Sequence, residues 1–426
     1  MSALNQHGLV GSDRKTSVTA SSSGRDRVVL SAVVFAVLFA QVLLYPGIPD
    51  LVSELGATPA NWAGDVDEVL DAGMWFLTAE FLGFVLFAGV WGAASDAIGR
   101  RTPLVVAGAL GGAVGYLALP VLSALDLPYA VVLLVRFLQG AATIGALSLA
   151  ITTLIDLPGG HGRNMGAAGL AIGAGTGLGA PVGGQLYELG PLVPVQVTTV
   201  ALAVAGLLAT FATDRTPDDT DSSLRALARV RDRPSLAVPY AFGFVDRLTA
   251  GFFALVGTVY FQSDIGLGLN AADTGLLLGA FFVPFALLQY PLGRLSDRVG
   301  RVIPVAAGSL AYGLAVVSVF YAPSVPVAVL AMVTVGVLGA LVAPATMALV
   351  SDLAAVDYRG AAMGGFNIAG SLGFLTGIVV GASVAATVGF EAAFLVVGFS
   401  EVLIAVAAVP LLLRLDVPAT PWLDAE

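Results

Sequence analysis

Long uncharged stretches separated by short charged segments dominate the chain. A membrane-spanning helix needs about 20 apolar residues, so each stretch interrupted by at most two charges is a candidate span. The stretch 302–351 is long enough for two helices, and Pro323 and Pro326 mark a turn between them. The pattern therefore predicts twelve transmembrane helices, spans 1 to 12 in chain order. The stretches are 28–49, 72–95, 102–125, 127–155, 164–187, 189–213, 235–263, 274–293, 302–351, 360–390 and 392–413.

Composition supports this all-α, polytopic membrane class. Charged residues make up 11% of the 426 residues and hydrophobic residues 57%, whereas a soluble domain carries about 25% charged residues. A soluble fold and a disordered chain are both excluded by these values. The net charge of −10 argues against nucleic-acid binding, which needs a basic surface.

The reactive residue types that enzymes commonly use are scarce. Cysteine is absent, and the two histidines, His7 and His161, fall outside the apolar stretches. A disulfide framework, a thiol nucleophile and a histidine-based metal site within the membrane are therefore not expected. We expect no enzyme activity, no cofactor and no metal.

The basic residues alternate from loop to loop. Of the 19 Lys and Arg residues, 17 lie in the tails or in alternate loops, and the remaining two lie inside spans. By the positive-inside rule, this predicts a cell-membrane protein with both termini in the cytoplasm. The predicted organisation is a disordered tail at 1–27, a six-helix half at 28–213, a linker at 214–235, a second half at 236–414 and a tail at 415–426.

Two loop motifs recur at nearly constant offsets. After span 2 the chain has Gly92, Asp96, Gly99, Arg100 and Arg101, and 201 residues later, after span 8, it has Gly293, Asp297, Arg298, Gly300 and Arg301. Asp156 and Arg163 likewise recur 196 residues later as Asp352 and Arg359. Two independent recurrences predict a duplicated six-helix unit.

The loop motif allows two interpretations. Gly92 removes a side chain where helices approach closely. Asp96 can interact with Arg100 and with the positive end of a neighbouring helix. Such a network could hold a cytoplasmic gate shut in one state, or it could only cap and orient spans 2 and 3. The duplication favours the gate.

At these residues the sequence resembles the major facilitator superfamily, whose signature Gly-x-x-x-Asp-x-x-Gly-Arg-[Arg/Lys] follows helices 2 and 8. The resemblance implies parallel halves that bind a substrate between them and work by alternating access. In span 4, Arg136, Gln139 and Gly140 resemble a second shared motif, in which the arginine is implicated in proton coupling.

Span 5 resembles, with its proline displaced by one position, a glycine-rich motif of the drug/proton antiporter branch. The residues concerned are Gly179, Pro181, Gly183 and Gly184. Closely spaced glycines allow another helix to approach, and a proline inside a helix permits bending. The resemblance implies a helix-bending element, although plain helix packing explains the same glycines.

Five ionisable residues lie inside spans, namely Glu80, Arg136, Asp246, Arg247 and Glu401. Glu80 and Arg136 lie at similar depths, ~13–15 Å from the outer end, so they could pair. A carboxylate that changes partner between two states can bind or release a proton. Asp246 and Arg247 point in different directions, so one is expected to line a cavity and the other to meet a helix. Glu401 is expected to be structural or to form an oligomer contact.

Uncharged polar residues complete the predicted substrate and proton-coupling set. They are Gln41, Tyr45, Gln139, Gln289, Tyr290, Asn367 and Ser371. In the linker, Leu224, Leu227 and Val230 recur on one side of a basic segment. That pattern favours an amphipathic helix on anionic lipid over a disordered tether.

These features predict a monomeric secondary transporter of a small solute that uses protons and works in the lipid bilayer. Proton-coupled efflux of small apolar compounds is the first hypothesis. Proton-coupled uptake of a nutrient or metabolite is the alternative, and a non-transporting sensor or a membrane-embedded enzyme is a minor one.

Overall fold

In a computed structural model, residues 10–57, 66–125, 127–158, 160–214, 233–355 and 358–414 are described, and within these ranges the chain forms helices and no β-strand. Twelve main helices follow the twelve predicted spans. They are α1 (Val10–Leu43), α2 (Val66–Ile98), α3 (Thr102–Ala124), α4 (Tyr129–Ile155), α5 (His161–Tyr187), α6 (Val193–Ala209), α7 (Ala237–Phe252), α8 (Ala271–Val299), α9 (Val302–Phe320), α10 (Val325–Leu353), α11 (Arg359–Thr387) and α12 (Phe390–Leu412). Within the described ranges, eleven spans are long and apolar enough to cross a membrane, and α6 is a shorter apolar helix.

Two helices continue beyond an interruption. After α1, a turn at Tyr45–Gly47 leads into the short helix Ile48–Glu54, because Pro46 cannot supply a backbone N–H. After α7, a π-helical turn at Phe253–Gly257 leads into Thr258–Gln262. The Thr258 hydroxyl donates to the Phe253 carbonyl at 3.1 Å, which satisfies an acceptor in this wider turn.

The two halves repeat one packing scheme. In the first half, α1 packs on α4, α5 and α6, and α3 packs on α4 and α6. In the second half, α7 packs on α10, α11 and α12, and α9 packs on α10 and α12. The predicted fold of two six-helix units is confirmed.

Equivalent glycines make equivalent contacts in the two halves. A Cβ at Gly140 on α4 would overlap the Glu80 carbonyl on α2, and a Cβ at Gly336 on α10 would overlap the Phe281 carbonyl on α8. These glycines are 196 residues apart, the same offset as the loop motif that follows them. The duplication therefore extends from the loops into the packed interior.

Loop arginines and acidic loops distinguish the two ends of the bundle. We call the end that carries the loop arginines the basic end, and the opposite end the acidic end. At the acidic end the halves touch where Gly184 on α5 packs against Ala271 and Ala272 on α8. The Gln262 side chain also donates to the Pro46 carbonyl across the halves. The acidic end is therefore closed.

Contact between the halves stops about midway along the helices. The Phe81 ring on α2 stacks on Phe374 of α11 with centroids 4.2 Å apart. On the other side, Gly173 of α5 faces Ala286 of α8. One turn closer to the basic end than the Gly173–Ala286 contact, Leu170 lies on the same face of α5 and Tyr290 on the same face of α8. They are 75% and 73% exposed. The halves therefore diverge toward the basic end and leave a central cavity open there.

The chain start and the linker bear on the predicted domain boundaries. α1 begins at Val10, within the segment predicted as a disordered tail. Near the end of that segment Arg27 is buried and donates to the Asn164 side chain at 2.9 Å and to the Pro158 carbonyl at 3.0 Å. The amphipathic segment predicted in the linker and the tail at 415–426 lie outside the described residues.

Candidate functional site

A buried polar network joins α2, α3 and α4 inside the first half. The Arg136 side chain is fully buried, and that of Glu80 is 1% exposed. An Arg136 Nη donates to the Glu80 carboxylate in an ion pair, so the pairing that the sequence suggested is present. Membrane-buried charges are costly unless they are paired, and here each charge neutralises the other.

Local helix geometry assembles the rest of the network. Arg136, Gln139 and Thr143 are spaced so that their side chains follow one face of α4. Arg136 donates to Gln139 Oε1 at 2.5 Å, and Gln139 Nε2 donates to the Thr143 hydroxyl at 2.9 Å. The Tyr116 hydroxyl on α3 donates to Glu80 Oε1 at 3.2 Å.

Aromatic rings enclose the guanidinium. The Arg136 Cζ lies 4.3 Å from the ring centroid of Phe76 and 5.2 Å from that of Tyr116. Cation–π attraction of this kind is worth about 2 kcal/mol when the cation is desolvated. The Arg136 Nε has no hydrogen-bond partner among the described residues, so one donor is free to take a new partner.

Three parts of this network were missed by the sequence analysis, namely Thr143, Tyr116 and Phe76. Tyr116 and Phe76 are ordinary aromatic residues in apolar helices, and nothing in their local sequence marks them. A signal for Tyr116 existed in the internal repeat, because Tyr312 lies 196 residues later and is also buried.

The second half has the same packing without the polar network. At the positions equivalent to Glu80, Arg136 and Gln139, it has Phe281, Met332 and Val335, all buried. The fold itself therefore does not require charged residues at these three places. Retention of a buried ion pair in one half alone indicates a role beyond packing.

A cavity of about 460 Å³ lies at the acidic end near this network. Asp67, Glu68 and Asp71 line it together with Tyr129. Tyr129 precedes Arg136 by seven residues on the same face of α4, which places the two residues ~10 Å apart along the helix. The carboxylates give this mouth a negative potential that attracts cations and protons.

The uncharged candidates lie along the faces that meet between the halves. Tyr45 lies 6.4 Å from Phe374 between ring centroids, and Gln41 precedes Tyr45 by one turn of α1. Asn367 and Ser371 occupy the face of α11 that continues to Phe374. Gln289 on α8 is partly exposed beside Tyr290.

The adjacent charges on α7 point in different directions. Asp246 is 8% exposed and points into the second half, whereas Arg247 is exposed and its Cγ lies next to Gly370 of α11. Glu401 on α12 is fully buried. The predicted oligomer contact at Glu401 is wrong, because a side chain with no exposed surface cannot reach a second copy.

The loop motifs form ion pairs at the basic end within each half. Arg101 pairs with Asp156 at 2.5 Å, and Arg301 pairs with Asp352 at 3.1 Å. Arg301 also pairs with Asp297 at 2.5 Å. Arg100 pairs with Asp214 at 3.1 Å rather than with Asp96, so that expected partner is corrected.

The remaining motif positions are surface residues or glycines, and a Cβ at Gly92 would meet no atom of the described residues within 4 Å, so the close helix approach expected there is absent. Asp96, Gly99, Arg163, Arg298 and Arg359 are exposed. In the glycine motif of α5, Gly179 and Gly183 pack on α1 while Gly184 packs on α8. Pro181 faces Gly279 of α8. This motif therefore joins the two halves near the acidic end.

Sequence comparison relates the chain to membrane transporters. The sequence profile described as Major Facilitator Superfamily matches residues 30–267 and 242–426. Magnetosome protein MamH of Paramagnetospirillum magneticum is 26% identical over 373 residues, which cover 79% of this chain and 82% of that protein. An uncharacterised MFS-type transporter of Methanocaldococcus jannaschii is 29% identical over 163 residues, 38% of this chain and 42% of the relative.

A quinolone resistance transporter of Acinetobacter baumannii is 27% identical over 201 residues, which cover 45% of this chain and 44% of that protein. The chain thus spans less than half the length of two of these three relatives. Among solved structures, a human organic anion transporter has a TM-score of 0.67 at 20% identity, covering 90% of this chain and 99% of the other.

A bacterial homologue of the human lysosomal transporter Spinster, solved inward-facing and unoccupied, has a TM-score of 0.71 at 12% identity, covering 93% of this chain and 97% of the other. At these identities the solved structures support the fold alone.

Proposed function

Because this chain belongs to the Major Facilitator Superfamily and is a membrane transporter rather than an enzyme, we propose that it exports small, rather apolar solutes in exchange for protons. The observation that carries the proposal is the enclosed Glu80–Arg136 ion pair, for which the duplicated half has only apolar equivalents. A substrate site alone would not need a charge pair that is shut away from the central cavity.

The surface between the halves suits an apolar solute. Phe81, Phe374 and Tyr45 supply an aromatic surface where the central cavity ends, about midway along the helices. Gln41 and Asn367 lie one or two helical turns away. Sites for small molecules are mostly apolar with a few polar groups that fix orientation. The printed name of one relative associates it with resistance to quinolones, which are small aromatic compounds, and this supports the choice of a small aromatic solute.

Coupling follows from the neighbours of Glu80. Protonation of this carboxylate removes the charge that holds Arg136, whose guanidinium can then turn toward Gln139. Glu80 precedes Phe81, and Phe81 stacks on Phe374 of the other half. A shift of α2 against α4 therefore reaches the contact between the halves directly. Protons would enter from the acidic-end cavity lined by Asp67, Glu68 and Asp71.

The direction of this scheme requires the basic end to face the cytoplasm, as the positive-inside rule predicts. The protein would then rest as a monomer in the cell membrane with its central cavity open to the cytoplasm. In the opposite state, the basic-end motifs around Arg101 and Arg301 would meet across the halves as a gate. Substrate from the cytoplasm would enter the open state described above.

Transport in proteoliposomes tests the proposal. The probe is the quinolone norfloxacin, whose flux is followed by fluorescence with and without an imposed pH gradient. We expect flux against a norfloxacin gradient only when a pH gradient is present, and loss of the pH-driven part in Glu80→Gln. The matched control is Asp264→Asn, which changes an exposed carboxylate in the loop after α7.

Equal flux with and without the pH gradient would refute proton coupling. Movement of norfloxacin in the same direction as the protons would refute export and favour the uptake alternative.

A further inference from the structure

A second polar cluster lies inside the other half, away from the Glu80–Arg136 network. It consists of Asp246 and Thr249 on α7, Ser309 and Tyr312 on α9, and Glu401 on α12, and all five are buried. We call it the α7–α9–α12 cluster. Asp246 with Thr249, and Ser309 with Tyr312, are each three residues apart, so each pair lies on one face of its helix.

Close helix packing brings the cluster together. Gly313 on α9 allows α12 to approach, because a Cβ at this glycine would lie 3.0 Å from the Glu401 Cβ. The Ser309 hydroxyl lies beside the Glu401 carboxylate, and the Tyr312 hydroxyl lies beside Thr249. Asp246 is the other charged group that acts on both Glu401 and Tyr312.

The polar atoms of the cluster lack partners. Both carboxylate oxygens of Glu401, the Thr249 hydroxyl and the Ser309 hydroxyl have no hydrogen-bond partner among the described residues. Buried polar groups normally find partners, so four unpartnered oxygens in one place indicate a missing ligand.

The charge of the cluster points to a cation. The basic group that acts on Asp246 is the adjacent Arg247, whose Cγ lies against Gly370 of α11, and among the described residues no basic group acts on Glu401. The other helices of this half contribute no Lys or Arg between Val302 and Val350, or between 361 and 412. Two buried carboxylates with only one adjacent basic group are costly in a low-dielectric interior.

We propose that the α7–α9–α12 cluster binds a sodium ion. Carboxylate and hydroxyl oxygens are hard ligands suited to hard cations. Calcium sites typically use more acidic ligands, and among the described residues no group of three or more acidic, histidine or cysteine side chains is placed to hold a metal ion. A monovalent ion also leaves fewer charges to be satisfied by uncharged hydroxyls. This site is independent of the transported solute and of its direction.

A bound ion would tie α7 to the two outer helices α9 and α12. α7 is also the helix that packs most extensively on α11, which touches the first half. Occupancy would therefore stabilise the second half as one body.

Thermal unfolding of the purified full-length protein tests the site without any substrate. Tryptophan fluorescence is followed while NaCl replaces choline chloride at constant total chloride. We expect the melting temperature to rise with each tenfold increase in sodium, because a ligand of the native state stabilises it by mass action. Glu401→Gln and Ser309→Ala are expected to lose this rise, and Glu391→Gln, an exposed carboxylate on the same helix, to retain it.

Two results would overturn the proposal: no rise in the melting temperature as NaCl replaces choline chloride, with or without a rise in CaCl₂, or an unchanged rise in Ser309→Ala and Glu401→Gln. Ser309→Ala keeps the test decisive if Glu401→Gln fails to fold. Because no flux is measured, failure here leaves the export proposal standing, and failure of that proposal leaves this one standing.

Discussion

Removing one partner of the Glu80–Arg136 pair is expected to destabilise the protein more than removing both. In Glu80→Gln, the guanidinium stays charged because arginine does not lose its proton in proteins. Its side chain is fully buried, so water cannot replace the lost carboxylate. Breaking a buried pair in this way costs about 3–5 kcal/mol. The cation–π contacts with Phe76 and Tyr116 persist in Glu80→Gln, so the loss of stability relative to the wild type comes from the ion pair.

The duplicated half indicates how the loss can be reversed. Met332 occupies the position equivalent to Arg136 and is fully buried there. In Glu80→Met/Arg136→Met, no buried charge remains, and a buried ion pair replaced by apolar residues of similar volume is often neutral in stability. We expect the free energy of unfolding of the double variant to lie within about 1.5 kcal/mol of that of the wild type. Arg136→Met alone should lie between the two, since Glu80 can become neutral by binding a proton.

Equilibrium unfolding in mixed detergent micelles measures these differences. The free energies of unfolding of the wild type, both single variants and the double variant form one thermodynamic cycle. Glu80→Gln as stable as the wild type would refute the buried-pair reasoning. A double variant less stable than Glu80→Gln would refute the comparison between the halves.

Three further predictions concern packing, the state of the cavity and the basic-end pairs. Gly140→Ala is expected to lower stability by about 1–3 kcal/mol, because its Cβ would meet the Glu80 carbonyl. Gly166→Ala should leave stability unchanged, because a Cβ there meets open space. Thermal unfolding of both variants measures this. The chain has no cysteine, so single introduced cysteines can be labelled selectively. Leu170→Cys and Tyr290→Cys should react quickly with a water-soluble maleimide, and Ala180→Cys, at the closed acidic end, should react slowly. Equal labelling rates by mass spectrometry would contradict a cavity open only at the basic end. Asp352→Asn should lower the free energy of unfolding by no more than about 1 kcal/mol, because the pair with Arg301 is partly exposed. A larger loss would mean that this pair does more than orient two helices.

Sequence reasoning located the helices well because long apolar stretches report directly on burial in a bilayer. It also anticipated the Glu80–Arg136 contact, since equal depth in neighbouring helices and the cost of unpaired charge leave few arrangements. The 196-residue offset of the loop motif also relates buried residues, since Gly140 and Gly336 make equivalent helix contacts in the two halves.

The failures share a physical cause, which is that partners distant in sequence leave no local pattern. Arg100 takes Asp214, 114 residues away, instead of the nearby Asp96. The neighbours of Glu401 likewise belong to another helix, since Ser309 and Tyr312 lie on α9, so its full burial was not evident from its own span.

The π-helical turn in α7 has a consequence for the register of that helix. A wide turn accommodates one extra residue, which rotates everything beyond it by ~100° relative to an uninterrupted α-helix. Asp246, before the turn, faces the second half, and Gln262, beyond it, reaches the first half at Pro46. An uninterrupted α-helix would set these two side chains about 160° apart around the helix axis, and the extra residue reduces this angle to about 60°. The face that the last turns of this helix present at the closed acidic end is therefore set by the wide turn and not by the α-helical period alone.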